Sequence, residues 1–328
     1  MSTHSVAIIG AGPAGLAAAI QLRRYGIDLL LLEAEAVGGL LRNANLVENY
    51  PGFPGGIPGL QLVRLFAEQL QEAGVAVTCA RVTALGEDGG SFRLETGEQF
   101  YHARILVIAS GSQALTFQDF AIPQAAEPRV LYQVLPVMGQ VGQHFAIVGA
   151  GDLAFDYALN LGRSNEVTIL NRSGERRCLP LLKERAACNP NIAYRENTWI
   201  ERVAVRSDGG LMLTCRSPQG DASIACDYLV GAIGRAPQLE FISEDFLRNA
   251  SRWQQEGRLY FIGDVKNQHY RQASIAIGDG VMAAMQIHAR MEMKSEPSQL
   301  SVSSLPKPSK RTRINTDSTD NMEKNKTK

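Results

Sequence analysis

Gly10, Gly12 and Gly15 stand in the spacing G-x-G-x-x-G, directly after the apolar run 6–9 and directly before the Ala- and Leu-rich stretch 16–22. The apolar run suits a buried strand and is too short for a helix; the stretch after the glycines has helix composition. In that setting each glycine has a task. Gly10 permits the tight turn, Gly12 leaves no Cβ in the path of a pyrophosphate, and Gly15 lets helix and strand pack closely. The helix N-terminus adds free N–H groups and a positive dipole end for the phosphates. Glu33 closes the next apolar run, 28–33, about twenty residues past the turn, where an acid accepts hydrogen bonds from a ribose diol. A carboxylate there disfavours a 2′-phosphate, so the predicted first nucleotide is the ADP half of FAD, or NAD.

A second copy of the pattern follows the apolar run 145–148: Gly149-Ala150-Gly151-Asp152-Leu153-Ala154, or G-x-G-x-x-A, with helical composition through 162 and a strand at 167–170. Alanine in the last place is a permitted variant. The copies diverge after the next strand. Where the first has Glu33, the second has Asn171-Arg172-Ser173-Gly174-Glu175-Arg176-Arg177. Guanidinium forks suit a phosphate monoester, so the second site is predicted to take NADPH in preference to NADH. FAD with a nicotinamide nucleotide is the sensible pairing, because hydride passes from one to the other while the protein supplies orientation and electrostatics.

These turns need elements to hold them. Residues 58–73 read as an amphipathic helix, and 75–82, 92–95 and 101–108 as strands with a turn at 88–90. The Gly/Pro/Asn-rich segment 37–56 is long for an irregular connection, which points to function. Residues 189–196 and 201–206 read as edge strands, and 211–216 pairs with 223–226 across a turn at 218–220. Residues 228–231 and 259–265 are apolar strands, and 272–289 is a helix with small residues at packing positions. At 328 residues the chain has room for about two domains, with a boundary near 112–117. The predicted fold class is α/β, with two Rossmann-like units.

Lys and Arg together number 33, as do Asp and Glu, so the formal net charge is zero and no nucleic-acid or anionic-membrane partner is expected. No apolar run approaches the roughly twenty residues needed to span a bilayer, and no signal peptide is evident; a cytoplasmic location is expected. The five cysteines, Cys79, Cys178, Cys188, Cys215 and Cys226, include no C-x-x-C pair, which predicts reduced thiols and no disulfide scaffold. No metal site is predicted. From 294 to 328 the composition turns to Ser, Thr, Pro, Lys and Asn, and a disordered tail is expected.

Over residues 5–290 the chain resembles the thioredoxin reductase branch of the flavoproteins with two dinucleotide-binding folds. The likeness rests on Gly10-Ala-Gly-Pro-Ala-Gly15, Gly38-Gly39-Leu40, Val47-Glu-Asn-Tyr-Pro-Gly-Phe53, Ala109-Ser-Gly111, Gly149-Ala-Gly-Asp152, Gly263-Asp264-Val265 and Arg271-Gln272-Ala273. It implies that 1–115 and 237–293 form an FAD domain, with an NAD(P)H domain, 116–236, inserted between them. The implied cofactor contacts are Gly10, Gly12, Pro13, Ala14, Gly15, Glu33, Gly38, Gly39, Leu40, Asn49, Val82, Ala109, Gly111, Gly263, Asp264, Arg271, Gln272 and Ala273 for FAD. For the nicotinamide nucleotide they are Gly149, Gly151, Asp152, Leu153, Ala154, Arg172 and Arg177. Asp264 is the expected ribityl ligand, and the helix opened at 271–273 is expected to aim its N–H groups at the flavin pyrimidine edge. Ser173 and Asn171 replace an arginine and a histidine of the family's 2′-phosphate motif. A homodimer is implied.

The family's C-x-x-C centre corresponds here to Tyr132-Gln133-Val134-Leu135, without sulfur. Exchange with a disulfide needs a thiolate, so reduction of thioredoxin by that route is not expected. Residues 131–134 and 151–161 are similar to thioredoxin-reductase-type ferredoxin (flavodoxin)–NADP reductases, which also lack the pair, although the stretch after Lys294 has none of the aromatics found in their extensions. The favoured expectation is an FAD-dependent NAD(P)H oxidoreductase with ferredoxin or flavodoxin as external acceptor. The alternatives are reduction of a small disulfide, a quinone or oxygen, electron entry from ferredoxin or a reduced deazaflavin, and a non-catalytic FAD-binding redox sensor.

Overall fold

The computed structural model describes residues 3–97 and 99–295. In chain order the first unit contributes β1 (Thr3–Ile9), α1 (Pro13–Arg24), β2 (Leu29–Glu33), α2 (Gly59–Glu72), β3 (Val77–Cys79), β4 (Val82–Asp88), β5 (Ser91–Thr96) and β6 (Gln99–Ile108). Next come β7 (Ser112–Ala114), β8 (Val130–Leu131), β9 (His144–Val148), α3 (Asp152–Leu161), β10 (Glu166–Leu170), α4 (Pro180–Ala187) and β11 (Ile192–Arg195). They are followed by β12 (Trp199–Val205), β13 (Leu211–Ser217), β14 (Gly220–Cys226), β15 (Tyr228–Gly231) and β16 (Arg235–Pro237). The chain then returns to the first unit with α5 (Glu244–Gln255), β17 (Leu259–Phe261) and α6 (Ala273–Ser295).

The first sheet runs β3-β2-β1-β6-β5-β4, with β17 on the C-terminal half of β6. Its β1, β2, β3, β6 and β17 are mutually parallel, and β4 and β5 continue it antiparallel. Parallel strands are covered on both faces, and here α1 and α6 lie over one face while α5 brings Phe246 and Trp253 to the other. The contact between α1 and α6 is close: a Cβ on Gly280 would overlap the Ala14 carbonyl oxygen. That spacing explains the small residues of both helices.

The second sheet, β11-β10-β9-β15-β8, is wholly parallel. Helices α3 and α4 cover one face, and the antiparallel β12-β13-β14 covers the other with Ile200, Leu211, Leu213 and Ile224. The two units are joined by an antiparallel ribbon of β7 and β16, with Arg235 opposite Ala114 and Pro237 opposite Ser112. This is the α/β architecture expected, with one Rossmann-like unit inserted into the other.

Several local expectations need correction. Residues 75–82 are not one strand: β3 ends at Cys79 and β4 starts at Val82, with the break pinned by Ala80 N–H donating to the Glu33 carbonyl (2.9 Å). The apolar run 259–265 is strand only to Phe261. Residues 263–265 then form a short 3-10 turn, because Asp279 accepts from Gly263 N–H (3.0 Å) and from the Asn267 side chain (2.6 Å). Helix α6 continues through Ser295, past the expected start of the tail at 294; the rest of the tail lies outside the described residues. Sequence reading missed α4 and α5, the latter capped by Ser243 Oγ accepting from Phe246 N–H (3.2 Å). Among the described residues no helix is long and apolar enough to cross a membrane.

Candidate cofactor sites and the cleft between the units

Each glycine turn sits at the C-terminal end of a central parallel strand, where β1 leads into α1 and β9 into α3. Ligands bind at such strand ends in doubly wound sheets. In the first turn a Cβ on Gly15 would overlap the Gly10 carbonyl oxygen, whereas one on Gly12 or Gly111 would meet no atom within 4 Å. Space is therefore open where a pyrophosphate has to approach, and closed where helix and strand have to touch. Pro13 occupies the first position of α1, and Ala14 lies buried against Gly263.

Glu33 reaches back to this turn. Its Oε2 accepts from Ala11 N–H (2.7 Å) and its Oε1 from Glu35 N–H (2.9 Å). The carboxylate is thereby fixed beside the turn, each oxygen keeping acceptor capacity for a ribose diol. Val82, buried, opens β4 next to this strand end. Gly38 N–H donates to the Ala11 carbonyl (2.8 Å), which brings Gly38, Gly39 and Leu40 onto the turn. Ala109, buried, follows β6 and donates to the Ile9 carbonyl (2.8 Å). Asn49 donates to the Gln272 side chain (2.7 Å), and Ser274 Oγ to the Asn49 carbonyl (3.4 Å), so the segment 47–53 lies against the start of α6 at Ala273.

Asp264, Arg235 and Arg271 lie near one another, partly buried, where the ribbon meets the start of α6. Burial pushes the Asp264 carboxyl above its ordinary range, while Arg271 and Arg235 oppose that shift. Burial also lowers Arg235. Arg235 Nη1, Arg271 Nε and the hydroxyl of Tyr157 are buried and have no hydrogen-bond partner among the described residues. Orphaned donors of this kind are rare in finished cores. Together with the open space over Gly12 and Gly111 they suit a large polar ligand such as FAD, for which the α1 N-terminus would receive phosphates, Glu33 a ribose and the cluster polar ring edges.

At the second turn the chain folds over itself. Arg177 N–H donates to the Ala150 carbonyl (2.9 Å), Gly151 and Arg177 form a parallel bridge, and Asp152 Oδ1 accepts from Leu179 N–H (2.7 Å). Leu153 is half-buried and Ala154 fully buried in α3. Three arginines ring this turn, each held by an acid: Arg172 with Asp119 (3.5 Å), Arg176 with Glu196 (4.0 Å) and Arg177 with Glu175 (3.5 Å). Arg176, outside the expected set, stacks 4.1 Å above the Tyr194 ring, whose hydroxyl accepts from Asn171 Nδ2 (2.9 Å). An arginine two residues past a glycine was a weak signal; only the register of β11 beside β10 brings Tyr194 under it.

The units also meet through residues 43–48. The buried Asn43 accepts through Oδ1 from Val134 N–H (3.1 Å) and Leu135 N–H (3.0 Å), and its amide donates to Gln133 (3.2 Å). Asp156 of α3 accepts from Asn45 N–H (2.9 Å). Burial raises the Asp156 carboxyl to about 6, against the pull of the Asn45 and Leu46 N–H groups and Arg163. Arg185 forks onto Glu48 through two hydrogen bonds (2.6 and 2.8 Å) and holds that carboxyl below its usual range. Asn43 and Asp156 were absent from the expected site; both join segments about a hundred residues apart.

Tyr132 is a packing residue. Its hydroxyl accepts from Phe117 N–H (3.0 Å), its ring lies 5.4 Å from the Phe117 ring, and a Cβ on Gly231 would come within 2.6 Å of it. All five cysteines are free thiols. In the β13–β14 hairpin Cys215 faces Ala222 and Cys226 faces Leu211, so the two are not cross-strand partners. Burial pushes the Cys215 thiol up to about 11 and the Cys226 thiol up to about 12.

The model of the pyridine nucleotide-disulphide oxidoreductase family matches residues 4–280. Thioredoxin reductase from Streptomyces coelicolor is 30% identical over 325 residues, covering 91% of this chain and 99% of the relative. That from Treponema pallidum is 29% identical over 295 residues, with 86% and 95% covered. Among solved structures, Lactococcus lactis thioredoxin reductase in its FR conformation superposes with a TM-score of 0.77 at 26% identity, covering 89% of this chain and all of that one. Bacillithiol disulfide reductase from Staphylococcus aureus shares the fold, with a TM-score of 0.69 at 22% identity and 90% and 100% covered. The chain belongs to the pyridine nucleotide-disulphide oxidoreductases, in their thioredoxin reductase-like branch of FAD- and NADPH-binding enzymes.

Proposed function

We propose that this chain draws electrons from NADPH through FAD and delivers them to an external acceptor, a small redox protein such as ferredoxin or flavodoxin, without an internal disulfide. In this reading 1–115 with 237–293 hold FAD and 116–236 hold the nucleotide. Bound FAD supplies what side chains lack, acceptance of a hydride and release of its electrons one at a time. The chain's own residues bind and orient: the α1 N-terminus and Gly12 receive the pyrophosphate, Glu33 the ribose, Asp264 and the start of α6 the ribityl and ring. At the second turn Arg172 and Arg177 exchange their carboxylate partners for the 2′-phosphate.

The observation that carries the reading is the stretch 132–135. Tyr132 is committed to packing, Leu135 N–H to Asn43, and no two cysteines stand at C-x-x-C spacing. A second reading, reduction of a disulfide, is favoured by the relatives named thioredoxin reductase. It requires a thiolate, and burial raises the thiols of Cys178, Cys215 and Cys226 away from that form.

Anaerobic reductive titration separates the two. A flavin without a disulfide takes up two electrons per FAD, whereas a flavin with a redox disulfide takes up twice as many. The expected result is bleaching by one equivalent of NADPH with no further uptake, followed by reoxidation by ferredoxin or flavodoxin and not by thioredoxin disulfide. Uptake of the second electron pair, or turnover with thioredoxin, would sink the proposal.

A further inference from the structure

We infer that Arg235, on the ribbon between the two units, supplies part of the positive field that stabilises the reduced, negatively charged flavin. Arg235 opens β16, and its guanidinium is tied down from one side only. Nε donates to Ser112 Oγ (3.0 Å) and Nη2 to the Ser112 carbonyl, which leaves Nη1 buried without a partner. Arg271 is placed against it, with Nη1 donating to the Arg235 carbonyl (3.1 Å) and Nε left buried and unpaired. The hydroxyl of Tyr157, a residue 1% exposed on α3, is the third orphan and interacts with Arg235.

Arg235 and Arg271 both act electrostatically on one acid, Asp264. The neighbouring acids are engaged elsewhere: Asp156 with the backbone at 45 and 46, and Asp279 with Gly263, Lys266 and Asn267. The cluster therefore carries excess positive charge where Arg235 and Asp264 are largely buried, with the N-terminus of α6 adding to it. An uncompensated buried charge is costly, so the arrangement calls for an anion. Hydride transfer brings two electrons and one proton to the flavin, leaving the ring system with one added negative charge and NADP⁺ as the oxidised product. Arg235 is thus an electrostatic contact for FAD that reaches it from the ribbon and not from either glycine turn.

The inference rests on FAD occupying the first site and not on which acceptor is used. The midpoint potential of the FAD-loaded protein, measured by spectroelectrochemistry, tests it. Arg235→Gln should disfavour the reduced form about tenfold, a fall of about 30 mV for a two-electron couple, and Arg235→Lys should recover most of that. Ser112→Ala, a milder change that loosens the guanidinium, should shift the potential in the same direction by less, and covers the case in which the glutamine variant does not fold. Unmoved potentials in both Arg235→Gln and Ser112→Ala overturn the inference, as does an unmoved potential with weakened NADP⁺ binding, which would assign Nη1 to a nucleotide phosphate. Failure of the wild-type protein to retain FAD would overturn this inference and the functional proposal together, whereas a loaded protein with unmoved potentials overturns this inference alone.

Discussion

The two glycine turns repeat one design with different tolerances. Both begin with a glycine in the left-hand half of backbone space, Gly10 at φ +102° and Gly149 at φ +146°. In each a Cβ would strike the carbonyl of an alanine on the neighbouring strand's exit, Ala109 in the first and Ala232 in the second. They part at the last position. Gly15 has no room for a Cβ, while Ala154 carries one and is fully buried. They part again on the helix that follows. Helix α1 presents Ala17 and Ala18 because α6 presses against it, whereas at the equivalent places α3 carries Asp156, which accepts from Asn45 of the other unit, and Tyr157, which packs into the core of its own. A tight turn under a covering helix suits a cofactor that stays. A looser turn whose helix reaches across the cleft suits a nucleotide that exchanges.

The sharpest way to break this comparison is Gly15→Ala. The new methyl would overlap the Gly10 carbonyl oxygen, which is backbone and cannot swing aside. Overpacking of that kind costs about 3 kcal/mol, and the strain falls where the pyrophosphate binds. The variant should purify largely without FAD and unfold earlier in denaturant. A variant that holds FAD as tightly as wild type would show that the first turn is no tighter than the second.

Asp156 tests the other half of the contrast. Its carboxyl is raised from 3.8 to about 6 by burial, so the folded state binds this proton more tightly than the unfolded chain. The resulting stability is fully present below about pH 4 and is lost as pH rises toward about 6. Asp156→Asn should flatten the thermal-denaturation profile across that window and stabilise the protein at pH 7 by about 2 kcal/mol after allowance for partial solvation. An unchanged slope between pH 4 and 6 would mean that the Asp156 carboxyl is not buried in the folded state.

The parts of this architecture that depend on covalent geometry were legible in the sequence. A missing Cβ at Gly10, Gly12 and Gly15, an acid at the end of β2 and its absence at the end of β10 identify the two turns without any knowledge of the fold. Short continuous apolar runs indicated most strands. Contacts between distant segments were not legible. Asn43 under residues 133–135, Asp156 under Asn45 and Asp279 under Gly263 are ordinary polar residues in sequence, and only the closing of the chain gives them partners. Helix α5 escaped notice for a related reason: it is polar over most of its length and announces itself only by the Ser243 cap and by Phe246 and Trp253.

Nucleotide choice at the second turn has a smaller expected effect. Arg177 is tethered through its backbone to Ala150 while its side chain stays exposed and paired with Glu175. Arg177→Glu should weaken NADPH about tenfold, the scale of one charge-assisted contact in solvent, and leave NADH nearly unchanged; titration of each nucleotide against the flavin absorbance measures both. Equal losses would remove the 2′-phosphate role and make the second site indifferent to that group.

The smallest effect is predicted for the reciprocal of the first substitution. Ala154→Gly removes a buried methyl in the first turn of α3 and adds backbone freedom to a helix, at a cost of about 1 kcal/mol. The helix keeps its start, since Ala154 N–H still donates to the Gly151 carbonyl (3.1 Å). NADPH affinity should therefore hold within about twofold, because the phosphate-facing positions Gly151 and Asp152 are untouched. If instead the glycine tightened NADPH binding strongly, the alanine would be acting as a brake on the second site, and the looseness of that turn would be a limit on affinity and not merely room for exchange.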